Sequence, residues 1–175
     1  MRLFVAAELT DDLSEALADT SALLRDAIRG RFVGPDLFHV TLAFLGEVPG
    51  SRVGEVGELV REACEDMPAF STSLGSLGTF GRASAAVLWQ GFSTGRAEWD
   101  ELASRVRGAL RDGGFSIDEK SFIPHVTLMR RADVSRGILP MPVVERGMVD
   151  RVTLFASDLS GERPRYDALD RIELI

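Results

Sequence analysis

Cysteine is almost absent from this chain: Cys64 stands alone among 175 residues, so no internal disulfide and no cysteine-based metal cluster can form. It falls on the apolar stripe of an expected helix and carries no nucleophile signature, which points to core packing. Apolar runs are short, and none approaches the ~20 residues that a membrane-spanning helix needs. The opening MRLFVAAEL turns acidic at Asp11 and Asp12 without a cleavage-site pattern, which argues against a signal peptide. A cytoplasmic protein is the expectation. Positive charge is also scarce: 20 Lys and Arg against 27 Asp and Glu leave a net charge of −7. Such a chain lacks the basic face needed for broad binding along a duplex, although a site for one phosphate takes only one or two local cations. Among the basic residues the only lysine is Lys120. No Gly-Lys-Ser/Thr accompanies the spaced Gly75, Gly78 and Gly81, so strand bends account for these glycines better than a phosphate loop. No HExxH, Asp-rich calcium loop or His/Cys cluster is present, and no metal or other cofactor is expected.

What is present is the composition of a soluble globular protein, 45% apolar and 27% charged, of a length that fits one domain spanning residues 1–175. Histidine occurs twice, and both copies head the same tetrapeptide: His39-Val40-Thr41-Leu42 and His125-Val126-Thr127-Leu128. Three identical followers would arise by chance about once in a thousand. Each tetrapeptide reads as a half-buried strand. Strict alternation puts His39, Thr41 and Ala43 on one face and Val40, Leu42 and Phe44 on the other. His125 and Thr127 share a face in the same way. Two strands that each offer a His and a Thr to one cleft could grip a small anionic group from both sides.

The order of elements repeats as well. A strand at Arg2 to Leu9 precedes a helix capped at Thr10, with Leu13, Leu17, Leu24 and Ile28 near one stripe and Gly30 as its stop. A loop through Gly34-Pro35 leads to the first histidine strand. Ser51 is a candidate cap for a second helix striped by Val53, Val56, Val60, Ala63 and Met67 and ended by Pro68. Ala69 to Phe92 reads as two strands joined near Gly81 to Ser84. A third helix follows from Arg96, striped by Trp99, Leu102, Ala103, Val106 and Leu110 and stopped at Gly113-Gly114. Pro124 introduces the second histidine strand. Met148 to Ser157 and Tyr166 to Ile175 read as two last strands. Strand, helix, loop and histidine strand thus occur twice, which predicts an α+β fold: two pseudo-symmetric αβ lobes from an internal duplication, their mainly antiparallel sheets facing each other across a central cleft.

Displacement at phosphorus needs a base on one side and an acid on the other. Two imidazoles meet that need near neutral pH, and the hydroxyls of Thr41 and Thr127 could donate to the non-bridging oxygens. At these residues the chain resembles the 2H phosphoesterases, specifically the RNA 2′,3′-cyclic phosphodiesterases also called 2′-5′ RNA ligases. The resemblance rests on HVTLAFLG and PHVTLMR, and extends to RLFVAAEL, GTFGRASAAVLW and SDLSGERPRYDAL in the same order. It implies metal-independent hydrolysis of a ribose 2′,3′-cyclic phosphate to the 2′-phosphomonoester, with 2′-5′ ligation as the reverse-type reaction. Carried over by position, His39 would be the proton donor and His125 the proton acceptor; the symmetry of the two motifs does not itself choose. The family's arginine five residues after the second histidine is Arg130 here, whereas strict alternation would point Arg131 into the cleft. A bulge would favour Arg130 as the phosphate ligand. The implied partners are RNA ends or nucleotides bearing a cyclic phosphate, with no membrane, no obligate protein partner and nothing demanding more than a monomer.

Two other readings compete. Gly91-Phe92-Ser93-Thr94-Gly95 fits the G-x-S-x-G elbow of a serine hydrolase, with an Asp and then His125 following in the expected order, although Ser93 or Thr94 as a helix cap explains the segment as well. A non-catalytic module that holds phosphorylated RNA ends would use the same cleft. Phe44 and Phe80 are candidates for stacking on a base, with core packing the preferred reading for both.

Overall fold

The computed structural model describes all of residues 1–175. Two sheets, antiparallel throughout, carry the chain. In the first, strands β1 (Arg2–Ala7), β3 (Val40–Glu47), β8 (Arg151–Asp158) and β9 (Arg165–Glu173) lie in the order β3-β1-β8-β9. In the second, β2 (Arg31–Phe32), β4 (Phe70–Phe80), β5 (Ala86–Phe92), β6 (His125–Ala132) and β7 (Arg146–Val149) lie in the order β2-β6-β5-β4-β7. Apart from the two-residue β2, the orders correspond strand for strand. The histidine motifs lie at corresponding ends of the two sheets, on β3 paired antiparallel to β1 and on β6 paired antiparallel to β5, with β2 adding a short edge outside β6.

Helices α1 (Asp11–Arg25), α2 (Val53–Cys64) and α3 (Arg96–Asp112) cover the outer faces. Helix α1 follows a strand of the first sheet but packs on the second, where Leu13 lies against Gly147 of β7 and the Thr20 hydroxyl accepts the amide of Val143. Helix α3 bridges both sheets. At its start Trp99 donates to the Thr72 hydroxyl on β4, and near its end Arg107 donates to the Leu42 carbonyl on β3. The result is one cluster of 36 buried residues that takes in Leu3 and Val5, Leu88, Leu128, and the stripes of all three helices. Strand β1 shows why the sheets have two covered faces: Leu3, Val5 and Ala7 join that core, while Phe4 and Ala6 form a separate cluster with Phe155 on the cleft side.

Several expected boundaries move. Helix α1 stops at Arg25, five residues before Gly30, and Thr10 occupies its N-cap without bonding a helix amide through its hydroxyl. Ser51 lies in a short 3-10 turn, so the cap of α2 is Arg52. Met148 to Ser157 is two strands in different sheets, broken at Asp150. An apolar run gives no sign of which sheet it joins, because both sheets bury the same kind of face.

Candidate functional site

The two histidines are held by the same local device. His39 Nδ1 donates to the carbonyl of Leu37 at 2.8 Å, and His125 Nδ1 donates to the carbonyl of Ile123 at 2.6 Å. A carbonyl brings no proton, so Nδ1 carries it, and the acceptor lone pair of each neutral ring falls on Nε2. Both carbonyls are available for local reasons: Leu37 closes a 3-10 turn, and Ile123 precedes Pro124. The Thr41 hydroxyl donates to His39 Nε2 at 3.0 Å.

His39, Thr41, His125, Thr127 and Arg130 line one cavity of about 540 Å³ between the sheets. Both rings are half-buried, so neither is sealed from the cleft.

Strict alternation fails in both motifs, at the same residue. Ala6 of β1 faces Thr41 and Val5 faces Ala43, which leaves Leu42 as an extra residue. On the other side Trp89 faces Thr127 and Leu88 faces Met129, which leaves Leu128 extra. Such a bulge shifts the side-chain phase by one. Ala43 therefore joins the core instead of sharing a face with His39, and Phe44 turns to the cleft. In β6 the same shift buries Leu128 and Met129 in succession and brings Arg130, rather than Arg131, to the cavity wall. Phe44 and Phe80 both line that cavity; Phe44 is half-buried and packs against the Phe4, Ala6 and Phe155 cluster, whereas Phe80 has 37% of its surface exposed.

Aromatic rings brace each imidazole. Phe4 lies 5.1 Å from His39 and Tyr166 meets its edge at 5.5 Å, while Phe80 and Trp89 stand 5.1 and 5.5 Å from His125. Gly78 on β4 makes room for Trp89, because a Cβ there would fall on the indole ring. These braces were not legible in the sequence, since each comes from a different strand of the same sheet as its histidine. The spaced glycine at Gly78 was the one available signal.

Burial pushes His39 down to about 4, against the support of the Leu37 carbonyl, and the charges of Arg130 and His125 add to the shift. His125 is lowered as well, first by burial, with the Ile123 carbonyl opposing and Arg130 contributing. At neutral pH both rings are thus uncharged in the free protein. An anion between them would favour the charged form of each ring by direct attraction and by offsetting Arg130, in opposition to the burial that is the larger cause of the lowering.

The remaining candidates fall elsewhere. Ser93 is exposed, its hydroxyl donates to the Leu74 carbonyl at 3.4 Å, and the cavity beside it contains neither histidine nor aspartate. That segment is no nucleophile elbow. Nor does it cap α3, whose N-cap is Gly95 at φ 79°, where glycine alone is unstrained. Thr94 instead ties the turn to β4 by accepting the amide of Ser73. Cys64 is buried and its thiol is pushed up to about 11, which leaves it unreactive. No three His, Cys, Asp or Glu side chains gather closely enough to hold a metal ion.

Residues 24–146 match the model of the 2′-5′ RNA ligase superfamily. The chain is 31% identical to the RNA 2′,3′-cyclic phosphodiesterase of Escherichia coli (strain K12) over 97% of its own length and 94% of that protein. It is 34% identical to the enzyme of the same name from Geobacillus stearothermophilus, over 98% of this chain but only 57% of the relative's length. The crystal structure of E. coli LigT complexed with 3′-AMP superposes with a TM-score of 0.83 at 29% identity, covering 99% of this chain and 97% of that one.

Proposed function

Since the chain belongs to the 2′-5′ RNA ligase superfamily, we propose that it hydrolyses a 2′,3′-cyclic phosphate, on an RNA end or a nucleotide, to the 2′-phosphomonoester without a metal ion. The observation that carries this reading is the pair of imidazoles, each locked by the carbonyl two residues before it and each lining the cavity that also holds Arg130.

His125 Nε2 takes a proton from water as the water oxygen attacks phosphorus. The bond from phosphorus to the 3′ oxygen breaks on the opposite side, and His39 Nε2 gives its proton to that oxygen. The bond to the 2′ oxygen stays intact. Thr41, Thr127 and Arg130 hold the non-bridging oxygens, whose charge must be stabilised in the transition state. The assignment of donor and acceptor follows the relatives by position. It also requires His39 to be charged before the chemistry, and the substrate's own negative charge provides the means, by lifting a ring that is neutral in the free protein. After turnover His125 holds the extra proton, and exchange with solvent resets the pair. A 5′-hydroxyl in place of water would give the 2′-5′ linkage.

The matching strand order of the two sheets supports an internal duplication, one His-x-Thr unit per half of a single bilobal domain. No helix is long and apolar enough to cross a membrane, and we read the protein as a cytoplasmic monomer. Turnover of a nucleoside 2′,3′-cyclic phosphate in excess chelator tests the proposal. Activity that survives chelation and disappears in both His39→Ala and His125→Ala is expected; activity retained in either variant would remove the two-histidine mechanism.

A further inference from the structure

Beyond the phosphate held between the histidines, we propose that Arg31 and Arg163 form a second phosphate position, which makes an RNA strand rather than a mononucleotide the preferred substrate. This rests on the reading of the reaction just given and extends it to the rest of the ligand.

The starting point is a juxtaposition that is unfavourable on its own. Arg31 of the edge strand β2 is the direct antiparallel partner of Arg130 on β6. Cross-strand partners share a face, and like charges placed so oppose each other. The ion pairs of the chain relieve neither residue, although carboxylates outnumber cations overall. Both arginines line a second cavity of about 310 Å³, which also contains His39 and Thr127 and is therefore continuous with the reaction site. Arg163 enters it from the loop before β9, anchored to Asp36 at 3.4 Å. Three arginines face one carboxylate there, Glu162. An acidic protein that gathers three guanidinium groups beside its reaction site, two of them, Arg31 and Arg130, in no ion pair, is arranged for an anion larger than one phosphate.

The chemistry of an RNA end identifies the anion. A nucleoside with a 2′,3′-cyclic phosphate is joined to the rest of its strand through its 5′ oxygen, so the nearest further charge is the phosphodiester on that side. With the cyclic phosphate on Arg130, that phosphodiester meets Arg31 and Arg163, and the strand leaves past β2. The apolar side of the larger cavity, with Phe44, Phe80 and Phe122, remains for a base.

The test compares a cyclic mononucleotide with a short oligonucleotide ending in a 2′,3′-cyclic phosphate, in wild type, Arg31→Ala, Arg31→Gln and Arg163→Ala. Gln keeps most of the Arg31 stem, so a variant that merely loosens β2 is distinguished by its melting temperature. The ratio of kcat/KM for oligonucleotide over mononucleotide should fall about tenfold in each variant, and the salt slope of oligonucleotide affinity should drop by about 0.7, the value for one lost single-strand phosphate contact. The slope is read from anisotropy of a labelled oligonucleotide ending in a 2′-phosphate, which needs no turnover. An unchanged ratio and slope in Arg31→Gln overturns the proposal, as does an equal loss on both substrates. If wild type turns over neither substrate, the phosphodiesterase reading falls, and the anisotropy slope alone still decides whether Arg31 and Arg163 hold a phosphate.

Discussion

At the scale of single residues, the site is governed by a conflict between burial and charge at His39. The proton-donor role proposed for this ring requires it to be protonated, yet its surroundings hold it down to about 4. The kcat profile reports the complex and the kcat/KM profile the free protein. The alkaline limb of kcat, where His39 loses its proton, should therefore lie at higher pH than that of kcat/KM; coincident limbs would show that the bound phosphate does not recharge the ring. The same shift has a consequence for stability. A histidine lowered on folding binds fewer protons native than unfolded, so stability is unaffected above about 6.5, the ordinary value, and falls as pH drops from there toward about 4. In His39→Gln that part of the acid destabilisation should be missing, as melting temperatures across the interval would reveal. Position within a tetrapeptide is legible in a sequence; the burial that sets the pKa is not, because Phe4, Phe155 and Tyr166 reach His39 from β1, β8 and β9.

At the scale of elements, the bulges at Leu42 and Leu128 do the work that pattern reading assigned to a regular strand. By shifting phase just after each threonine they send the fifth residue from each histidine into the cleft: Phe44 from one side, Arg130 from the other. The duplicated positions thus carry different chemistry, an aromatic ring and a cation. The neighbouring strands are tuned to this arrangement. Trp89 can brace His125 because Gly78 opposite it has no side chain. In Gly78→Val the indole must move, with an overpacking cost of about 1–3 kcal/mol in denaturant unfolding. Turnover should fall further than the stability loss explains, while His39 titrates as before by NMR. A variant with normal turnover would mean that Trp89 is not needed to hold His125.

At the scale of the whole molecule, the two sheets do not behave as separable lobes. Helix α1 crosses from one sheet to the other, α3 bridges them through Trp99 and Arg107, and one continuous core runs beneath both. Unfolding should accordingly be a single transition. Leu128→Ala, in the second sheet at zero exposure, should cost about 2–5 kcal/mol and shift that one transition without splitting it. Two resolved transitions in calorimetry would contradict a shared core. The sequence by itself determined the pieces and the candidate groups: alternating and 3.6-residue patterns specify local elements, and a repeated tetrapeptide with a scarce residue singles out the two histidines, because both are properties of neighbours along the chain. Only the tertiary structure decided that the two imidazoles share a cavity, that Met148 to Ser157 divides between sheets, and that Arg31 stands beside Arg130. Strand pairing joins residues about a hundred positions apart, and no local pattern encodes which distant edge a strand will find.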